Sequence, residues 1–316
     1  MSLQRFILRR LLLVVPIMFG VSVITFGLVK LSPSDPVQIL LGANPDLPGH
    51  VIESIRRRYG FDRPVYIQYL DWLSGVLVGD FGIEYSSRRD VGPILLRRIP
   101  PTIVLGLFGW VFALAIAIPT GIYAAVRKDK LGDHVSRFVA LSGISIPNFW
   151  LGLLLILFGA LILGMWDVVP PRSTLWHPEM LWYLILPGIT IGTAASASMM
   201  RIMRSAMAEE MNKDYVTTAR AKGLPERRVI LKHVLRNSLI SVVTVAAFLT
   251  AGILAGSVVV ETVFNWPGLG RELVEAVIAR EINLILAITL FTGIALVIAN
   301  LLADIVYAIL DPRIRY

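Results

Sequence analysis

Residues 11–31 read LLLVVPIMFGVSVITFGLVKL, a run of twenty-one residues that contains one charged side chain, Lys30. At about 1.5 Å per residue, a helix of this length crosses the roughly 30 Å hydrocarbon core of a bilayer. The apolar part exceeds the ~7–15 residues of a secretory leader, and no small-residue cleavage site follows it. The run therefore predicts an uncleaved membrane-spanning helix near the N-terminus.

Five more apolar runs of similar length follow along the 316 residues. They predict spans at residues 102–126, 138–164, 181–200, 239–260 and 284–310. Hydrophobic residues make up 56% of the sequence, above the roughly 45–50% of a soluble domain, and they are concentrated in these blocks. The sequence thus predicts an all-α, polytopic membrane protein with six transmembrane helices.

Prolines and aromatic residues mark several of the predicted span boundaries. The pair Pro100 and Pro101 is expected to open the second span. Pro147 is expected to kink or restart the third span, because it has no N–H to donate. Trp182 and Tyr183 stand at the start of the fourth span, where they are expected to act as interfacial anchors.

The distribution of lysine and arginine predicts the orientation of these spans. With the N-terminus inside, the cytoplasmic segments hold eighteen of the thirty basic residues, and the two short external loops hold three. The long external segment 32–101 holds eight, but segments above about 60 residues cross largely regardless of charge. Both termini are therefore predicted to lie in the cytoplasm. Retained cytoplasmic charge also explains the net charge of +8 without nucleic acid.

The external segment contains two short helical patterns. Residues 50–59 carry apolar positions at helical spacing, and Pro64 opens a second pattern that runs to Val78. We predict that they form a small external helical cap between the first and second transmembrane helices. A helix that lies in the membrane interface is the alternative.

The sequence lacks the residue constellations that carry catalysis. It has no phosphate-binding G-x-x-x-x-G-K-[ST], no H-E-x-x-H and no G-x-S-x-G. Its four histidines lie in separate predicted loops and it has no cysteine, so we expect no bound metal. These absences predict a non-catalytic chain without a cofactor of its own, and they argue against an intramembrane enzyme.

Ionisable side chains are nearly absent from the predicted spans. Asp304, with Asn300 one turn before it, is the main exception. Ion-coupled transporters usually carry such groups within their spans. Asp304 lies roughly two turns from the predicted cytoplasmic end of its helix, which favours a structural polar contact. Energy for transport is therefore expected to enter from outside the membrane part, and an ion-coupled secondary transporter is the disfavoured alternative.

The longest predicted cytoplasmic loop, 201–237, has the pattern of two short helices. The first is expected over Ala208–Lys222, and the second, over Glu226–Arg236, runs into the fifth span. Gly223 is expected to cap the first helix with a positive φ, and Pro225 prevents direct continuation. A helix–glycine–helix elbow favours a docking surface, with an ordinary charged loop as the alternative.

Residues 214–239 of this loop read DYVTTARAKGLPERRVILKHVLRNSL. The segment resembles the EAA loop of binding-protein-dependent ABC importer permeases. Ala219, Gly223 and Leu235 match the last Ala, the Gly and the Leu of that pattern. Four positions depart from it: Thr217, Thr218, His233 and Arg236. These departures are similar to the form found in the peptide-permease branch of the family.

Three further segments resemble the same branch in the correct order. They are FILRRLLLVVPIMFGVSVITFGLVKLSPSDP at 6–36, GDFGIEYSSR at 79–88 and ETVFNWPGLGREL at 261–273. The N-terminal segment is similar to DppB/OppB-like subunits of dipeptide, oligopeptide and nickel importers. The resemblance implies a transport core over 102–310, a branch-specific extension over 1–101, and a cytoplasmic tail at 311–316.

The resemblance also implies a type I ABC importer fold and a set of partners. These are a second, DppC/OppC-like permease subunit, two ABC ATPases that bind ATP and magnesium, and an extracytoplasmic substrate-binding protein. The chain would lie in the lipid of the cell's inner membrane, and an EAA-loop helix would sit in a cleft of an ATPase. The implied cargo is di- or oligopeptides, with nickel chelates, glutathione and oligosaccharides as alternatives.

Three groups of residues are singled out as sites. The ATPase-coupling residues implied by the resemblance are Asp214, Tyr215, Thr218, Ala219, Arg220, Ala221, Lys222 and Gly223. An external gate, or simply a tight turn, is predicted at Glu261, Trp266, Pro267, Gly268 and Gly270. Small residues at helical spacing, Gly252 and Gly256, predict close helix packing, either within the chain or against a partner.

Cysteine labelling tests the predicted orientation, because the natural chain contains no cysteine. Single cysteines replace Ser2, Ser86 and Tyr316, and an impermeant maleimide is added to intact cells, or to spheroplasts where an outer membrane is present. Only the Ser86→Cys variant should react. Labelling of Ser2→Cys or Tyr316→Cys without labelling of Ser86→Cys would contradict the charge-based topology.

Overall fold

The computed structural model describes residues 3–31, 37, 48–164 and 178–310, and helices dominate these segments. An isolated antiparallel bridge between Ile83 and Asp90 is the β pairing found in the described part of the chain. Five helices are long and apolar enough to cross a membrane, and one bent helix pair makes a sixth if it forms a single span. The prediction of an all-α, polytopic chain is confirmed.

The helices follow one another in this order: α1 Leu3–Leu31, α2 Gly49–Arg58, α3 Val65–Leu77, α4 Val91–Val126, α5 Leu131–Ser145, α6 Asn148–Leu155, α7 Pro178–Glu210, α8 Asp214–Ala221, α9 Glu226–Arg228, α10 Leu235–Val263, α11 Leu269–Ala279 and α12 Ile282–Leu310. Two π-helical segments adjoin these α-helices: Ile156–Ile162 follows α6, and Val229–Val234 lies between α9 and α10. The predicted short helices before the second span are confirmed as α2 and α3.

Helix α4 begins at Val91, well before the predicted start of the second span. Pro100 and Pro101 lie inside this helix, so the prediction that they open it was wrong. Proline removes hydrogen bonds to the preceding turn, but Val91 and Leu95 are buried in one cluster with residues of α11 and α12. Tertiary packing therefore holds the extra turns in helical form.

The third predicted span is a broken helix. Helix α5 ends at Ser145, Pro147 is the N-cap of α6, and the two helix axes differ by 104°. The predicted effect of Pro147 is confirmed, since a residue without an N–H can start a helix but cannot continue one. The segment 165–177, which holds Arg172, lies outside the described residues.

Helix α7 continues to Glu210, beyond the predicted end of the fourth span. Met203 and Met207 on this extension are fully buried against residues of α4 and α10, which favours continuation of the helix. The predicted start of the loop helix at Ala208 was therefore wrong, because Ala208 still belongs to α7. The separate helix of the loop begins at Asp214.

Glycines bring α4 and α7 into backbone contact. A Cβ atom on Gly192 would lie 2.6 Å from the carbonyl oxygen of Gly109, and one on Gly121 would lie 2.6 Å from Cβ of Met203. Neither position has room for a side chain, so the two helix axes approach as closely as small residues allow. The main apolar cluster forms around this contact and includes Leu105, Leu184 and residues of α10.

Helices α1 and α12 pack against each other over much of their length. Near one end, Arg10 Nη1 lies 2.7 Å from Asp304 Oδ2. Further along, a Cβ atom on Gly293 would lie 2.8 Å from Cγ1 of Val21. Asp304 thus makes a polar contact within the chain, of the structural kind that the sequence favoured.

The segment between α3 and α4 is anchored to the start of α12. Glu281 is 1% exposed, and its carboxylate accepts the N–H groups of Tyr85 at 2.6 Å and Ser86 at 2.8 Å. Burial raises the pKa of Tyr85 to about 12, so its hydroxyl stays protonated at neutral pH. The segment around 79–88 is therefore held firmly against the transmembrane helices.

A buried ion pair joins α5 to α7. Asp133 is 0% exposed and receives Nε and Nη2 of Arg204, each at 2.6 Å, in a bidentate arrangement. The same carboxylate accepts the backbone N–H of Asp129 at 2.9 Å. Removing one member of such a pair leaves the other buried and unpaired, which is strongly destabilising.

The Asp133→Ala substitution should therefore lower the stability of the purified protein by about 3 kcal/mol. Melting followed by tryptophan fluorescence in detergent measures the loss. The matched control is Asp71→Ala, since the Arg63–Asp71 pair leaves both side chains more than half exposed and exposed pairs contribute little. Equal melting shifts in the two variants would contradict a structural role for the buried pair.

Candidate coupling helix and external helix cap

Helix α8 lies against the ends of α7 and α10. Val216 and Ala219 are its buried residues, 0% and 6% exposed. They share one apolar cluster with Met207 of α7 and with Val229 and Val234 of the π-helical turn. The helix therefore presents one face to its own chain and leaves the opposite face open.

Gly223 ends α8 in the left-handed conformation, with φ of +73°, which confirms the predicted positive φ. Its N–H donates to the carbonyl of Arg220 at 2.9 Å, and the N–H of Leu224 donates to the carbonyl of Ala219 at 3.4 Å. This bond pair defines a Schellman cap. A Cβ atom at Gly223 would meet nothing within 4 Å, so glycine is required here for conformation and not for space.

Tyr215 ties α8 to both neighbouring helices. Its hydroxyl donates to Glu210 at the end of α7 and accepts from Asn237 Nδ2 at the start of α10, 3.0 Å away. Lys213 also pairs with Glu210. Burial, together with the bond to Glu210, raises the pKa of the Tyr215 hydroxyl, so it remains a donor at neutral pH.

The predicted coupling residues divide between two faces of α8. Tyr215 and Ala219 face the chain's own helices, as described above. The remaining members are exposed: Asp214, Thr218, Arg220, Ala221, Lys222 and Gly223. Arg220 is held in a bidentate pair with Glu226, at 2.7 and 3.1 Å, which braces the elbow between α8 and α9.

At the opposite end of α10, a buried carboxylate caps α11. Glu261 is 0% exposed, and its Oε2 accepts the N–H groups of Gly270 at 2.6 Å and Arg271 at 3.1 Å. Its Oε1 accepts the hydroxyl of Thr102 at 2.8 Å, and that hydroxyl in turn accepts the N–H of Leu269 at 2.8 Å. The first turn of α11 is thus satisfied by side chains of α10 and α4, where a negative charge also favours the helix dipole.

The glycines of the WPGLG segment make room for this carboxylate. A Cβ atom on Gly268 would lie 2.4 Å from Cδ of Glu261, and one on Gly270 would lie 2.4 Å from Cα of Val258. Neither distance is tolerable for real atoms. The two glycines are therefore fixed by the close approach of α11 to α10.

Trp266 and Pro267 join the same segment to α4. Trp266 is 1% exposed, and its Nε1 donates to the carbonyl of Pro101 at 3.0 Å. Arg98 donates to the carbonyl of Pro267 at 3.4 Å and forms an ion pair with Glu272 at 2.7 Å. All five predicted residues of the external group therefore lie together, in a turn that links α4, α10 and α11.

A groove of about 810 Å³ runs beside this turn between α4, α10 and α12. Its lining is mostly apolar, with hydroxyl groups from Thr102, Thr250, Ser257, Thr289 and Thr292. Thr102 and Ser257 also contact the Glu261 carboxylate, so the cap and the groove share residues. Gly252 and Gly256 are part of α10, but their packing lies outside the described residues.

Several residues of these networks do not stand out in the sequence. Glu210 and Asn237 lie at helix ends that the sequence placed inside one long loop, and Thr102 looks like an ordinary first residue of a span. Glu261 does carry a signal, since it ends an apolar run five residues before Trp266, which begins a Trp-Pro-Gly turn. A charge at the end of a span that precedes a helix start indicates a capping group.

The fold and these sites define a polytopic membrane subunit with an exposed helix at one end of its spans. Residues 117–316 match the family described as binding-protein-dependent transport system inner membrane component. Residues 3–106 match the N-terminal domain of the same kind of membrane component. The chain belongs to this family of ABC importer permeases.

Curated relatives cover nearly the whole chain. The oligopeptide transport system permease protein AppB of Bacillus subtilis is 38% identical over 98% of this chain and 99% of its own length. The glutathione transport system permease protein GsiC of Escherichia coli is 40% identical, with the same coverage. The dipeptide transport system permease protein DppB of Escherichia coli is 36% identical over 99% of both chains.

Solved structures with a similar fold are also ABC transporters. An amino acid ABC transporter with histidines matches with a TM-score of 0.51 at 15% identity, covering 68% of this chain and 93% of the other. The methionine transporter MetNI, in an inward-facing form, matches with a TM-score of 0.52 at 16% identity, covering 69% and 96%. These matches confirm the predicted type I importer fold.

Replacing Glu261 tests the external cap. In Glu261→Leu, two backbone N–H groups and one hydroxyl lose their acceptor, at about 1–3 kcal/mol each, so the melting temperature should fall strongly. Glu261→Gln retains one oxygen and should lose less. Glu275→Leu on α11 is the control, because Glu275 is half exposed and pairs with Arg271 near the surface. If all three variants melt alike, the carboxylate does not hold the turn.

Proposed function

We propose that this chain is a membrane-spanning permease subunit of an ATP-driven importer for di- or oligopeptides. The observation that carries the proposal is α8, an exposed helix tied to α7 and α10, in a chain without any phosphate-binding motif. A subunit of this kind receives its driving force from another protein. In this proposal the chain itself carries out no chemistry.

The proposed complex contains three kinds of protein partner beside the lipid of the cell's inner membrane. A second, homologous permease completes the pathway, and two ABC ATPases bind ATP and magnesium. An extracytoplasmic binding protein delivers the substrate. Family membership supports this set, since the family's own description refers to binding-protein-dependent transport.

The exposed face of α8 is the proposed ATPase contact. Asp214, Thr218, Ala221 and Lys222 offer a mixed polar surface, while Val216 and Ala219 keep the helix seated on its own chain. Because Tyr215 bridges Glu210 and Asn237, a displacement of α8 would pull on α7 and α10 together. Such a joint suits a transporter that alternates between two packed states.

The groove between α4, α10 and α12 is the proposed side of the translocation pathway. Its scattered hydroxyl groups suit passing peptide bonds without binding any one side chain tightly. The Glu261 turn, which shares Thr102 and Ser257 with this groove, is proposed as part of the external gate.

A peptide is the proposed cargo because the relatives described above are named for oligopeptides, dipeptides and glutathione, which all contain peptide bonds. The alternative cargoes are nickel chelates, glutathione itself and oligosaccharides. Uptake of labelled dipeptides, glutathione and a nickel chelate by cells expressing the complete transporter distinguishes among these classes.

The coupling role of α8 is tested by Gly223→Val. Valine in the left-handed region costs about 1–3 kcal/mol and would re-aim α8. We expect normal insertion and association with the second permease, but uptake should be lost. In the purified complex, ATP hydrolysis should no longer respond to the loaded binding protein.

Gly79→Val is the matched control for this experiment. Gly79 also has a positive φ, +86°, with nothing within 4 Å of its missing Cβ, but it lies in the segment between α3 and α4. Valine at position 79 therefore meets the same kind of backbone strain as valine at position 223, but at the other end of the molecule. Parental uptake and substrate-stimulated hydrolysis in Gly223→Val would contradict the proposal, as would equal damage in both variants.

A further inference from the structure

Helix α3 packs along α1 at positions within the predicted first span. The Tyr69 hydroxyl of α3 lies 2.8 Å from Ser22 Oγ, and the Tyr69 ring meets the rings of Phe19 and Phe26 edge-on. Closer to the C-terminal end of α1, Lys30 Nζ donates to the Gln68 side chain. The contacts of α3 therefore reach from Lys30 down to Phe19, well inside the helix that crosses the membrane.

The depth of this contact follows from the helix rise. Ser22 lies nine residues before Leu31, or about 13 Å along α1. Even if the membrane surface is placed at Phe26, which clusters with the first residue of α12, Ile282, Ser22 lies about 6 Å deeper. The half-thickness of the hydrocarbon core is only about 15 Å. Tyr69 thus reaches into the outer half of the bilayer.

The side of α3 that turns away from α1 is apolar and uncovered. Tyr66, Leu70 and Leu77 fall on one helical face and are 66%, 58% and 79% exposed. Exposure of such an apolar face to water is unfavourable, and exposed apolar patches of this kind mark contacts with a membrane or a protein. The face therefore requires an apolar partner.

The other side of α3 carries polar side chains. A cavity of about 520 Å³ lies there, and its lining mixes aromatic rings with Gln68 and Asp71 of α3, Lys30 of α1, and Arg63, whose Nη1 pairs with Asp71 at 2.9 Å. The helix therefore has charged and amide groups at an open chamber on one side and an uncovered apolar stripe on the other.

Helix α1 itself presents an apolar surface that faces lipid. In its most apolar stretch 17% of the residues are buried, the smallest share among the five single-helix spans. Ile24 and Leu28 lie on the side of α1 away from Phe26 and α3, and they are 63% and 65% exposed. Both residues lie between Phe19 and Lys30, so the exposed apolar side chains of α1 and α3 occupy the same depth range.

We propose that α3 lies in the outer leaflet of the bilayer, with Tyr66, Leu70 and Leu77 in contact with lipid chains and Asp71 facing the open chamber. The segment between the first two spans is then seated in the membrane interface and is not a cap held above it. The partner that this surface fits is the lipid itself. An interfacial helix of this kind inserts its apolar face about 5–10 Å below the headgroups.

Nitroxide accessibility at adjacent residues tests the proposal. Single cysteines replace Leu70, in the apolar stripe, and Asp71, about 100° further around α3 and lining the cavity, in the full chain purified with its associated subunits. The labelled complex is placed in nanodiscs of phosphatidylethanolamine and phosphatidylglycerol. Collision rates with oxygen, which concentrates in lipid, and with a water-soluble nickel chelate are compared. Ile24→Cys serves as the lipid reference and Ser86→Cys as the water reference.

The oxygen-to-nickel ratio at Leu70→Cys should match that at Ile24→Cys and exceed the ratio at Asp71→Cys several-fold. Tyr66→Cys and Leu77→Cys repeat the measurement if the first variant fails to fold. Nickel collisions at Leu70→Cys equal to those at Ser86→Cys would overturn the proposal in favour of a water-exposed cap. Low collision rates with both reagents would overturn it in favour of a covering protein subunit.

Discussion

Hydrocarbon offers no hydrogen-bonding partner, so backbone groups that leave regular helix near the membrane need acceptors and donors from the protein itself. Three buried carboxylates meet this need in the same way, by accepting backbone N–H groups. Glu261 takes those at the start of α11, Glu281 takes those of Tyr85 and Ser86, and Asp133 takes that of Asp129. Glu281 lies far along the chain from the amides that it accepts, so it fixes tertiary structure while it satisfies the backbone. Glu261 joins two successive helices in the same way. Asp133 accepts a local amide, and its tertiary link is the ion pair with Arg204.

The same contacts connect the two ends of the molecule. Helix α10 holds Asn237, which contacts the α8 network, near its first turn and Glu261, which caps α11, near its last. Helix α7 carries Glu210 at one position and Arg204, the partner of Asp133 on α5, less than two turns away. In the proposed coupling, a displacement of α8 would reach the spans along two paths: through α10 toward the groove, and through α7 toward the broken helix α5–α6.

The sequence was sufficient for the spans, the break at Pro147, the helices α2 and α3, and the cap at Gly223. These depend on apolar length, on the missing N–H of proline and on the freedom of glycine, all of which are local properties. Boundaries that depend on distant residues were missed. Val91 and Leu95 hold α4 together ahead of Pro100, and Met207 extends α7 into the predicted loop. The site residues of α8 could be named from the motif, but which of them face inward required the packing.

The π-helical turn between α9 and α10 adds a residue to the segment that joins the elbow to the fifth span. Its hydrogen bonds join residues five apart, so the segment Val229–Val234 holds one residue more than the α-helix it interrupts. Val229 and Val234 are buried, whereas Leu231 and Lys232 between them are exposed. Deleting one exposed residue would convert the turn to regular α-helix and leave both valines on the buried side. A one-residue deletion at this turn would therefore preserve the register of the helix that follows.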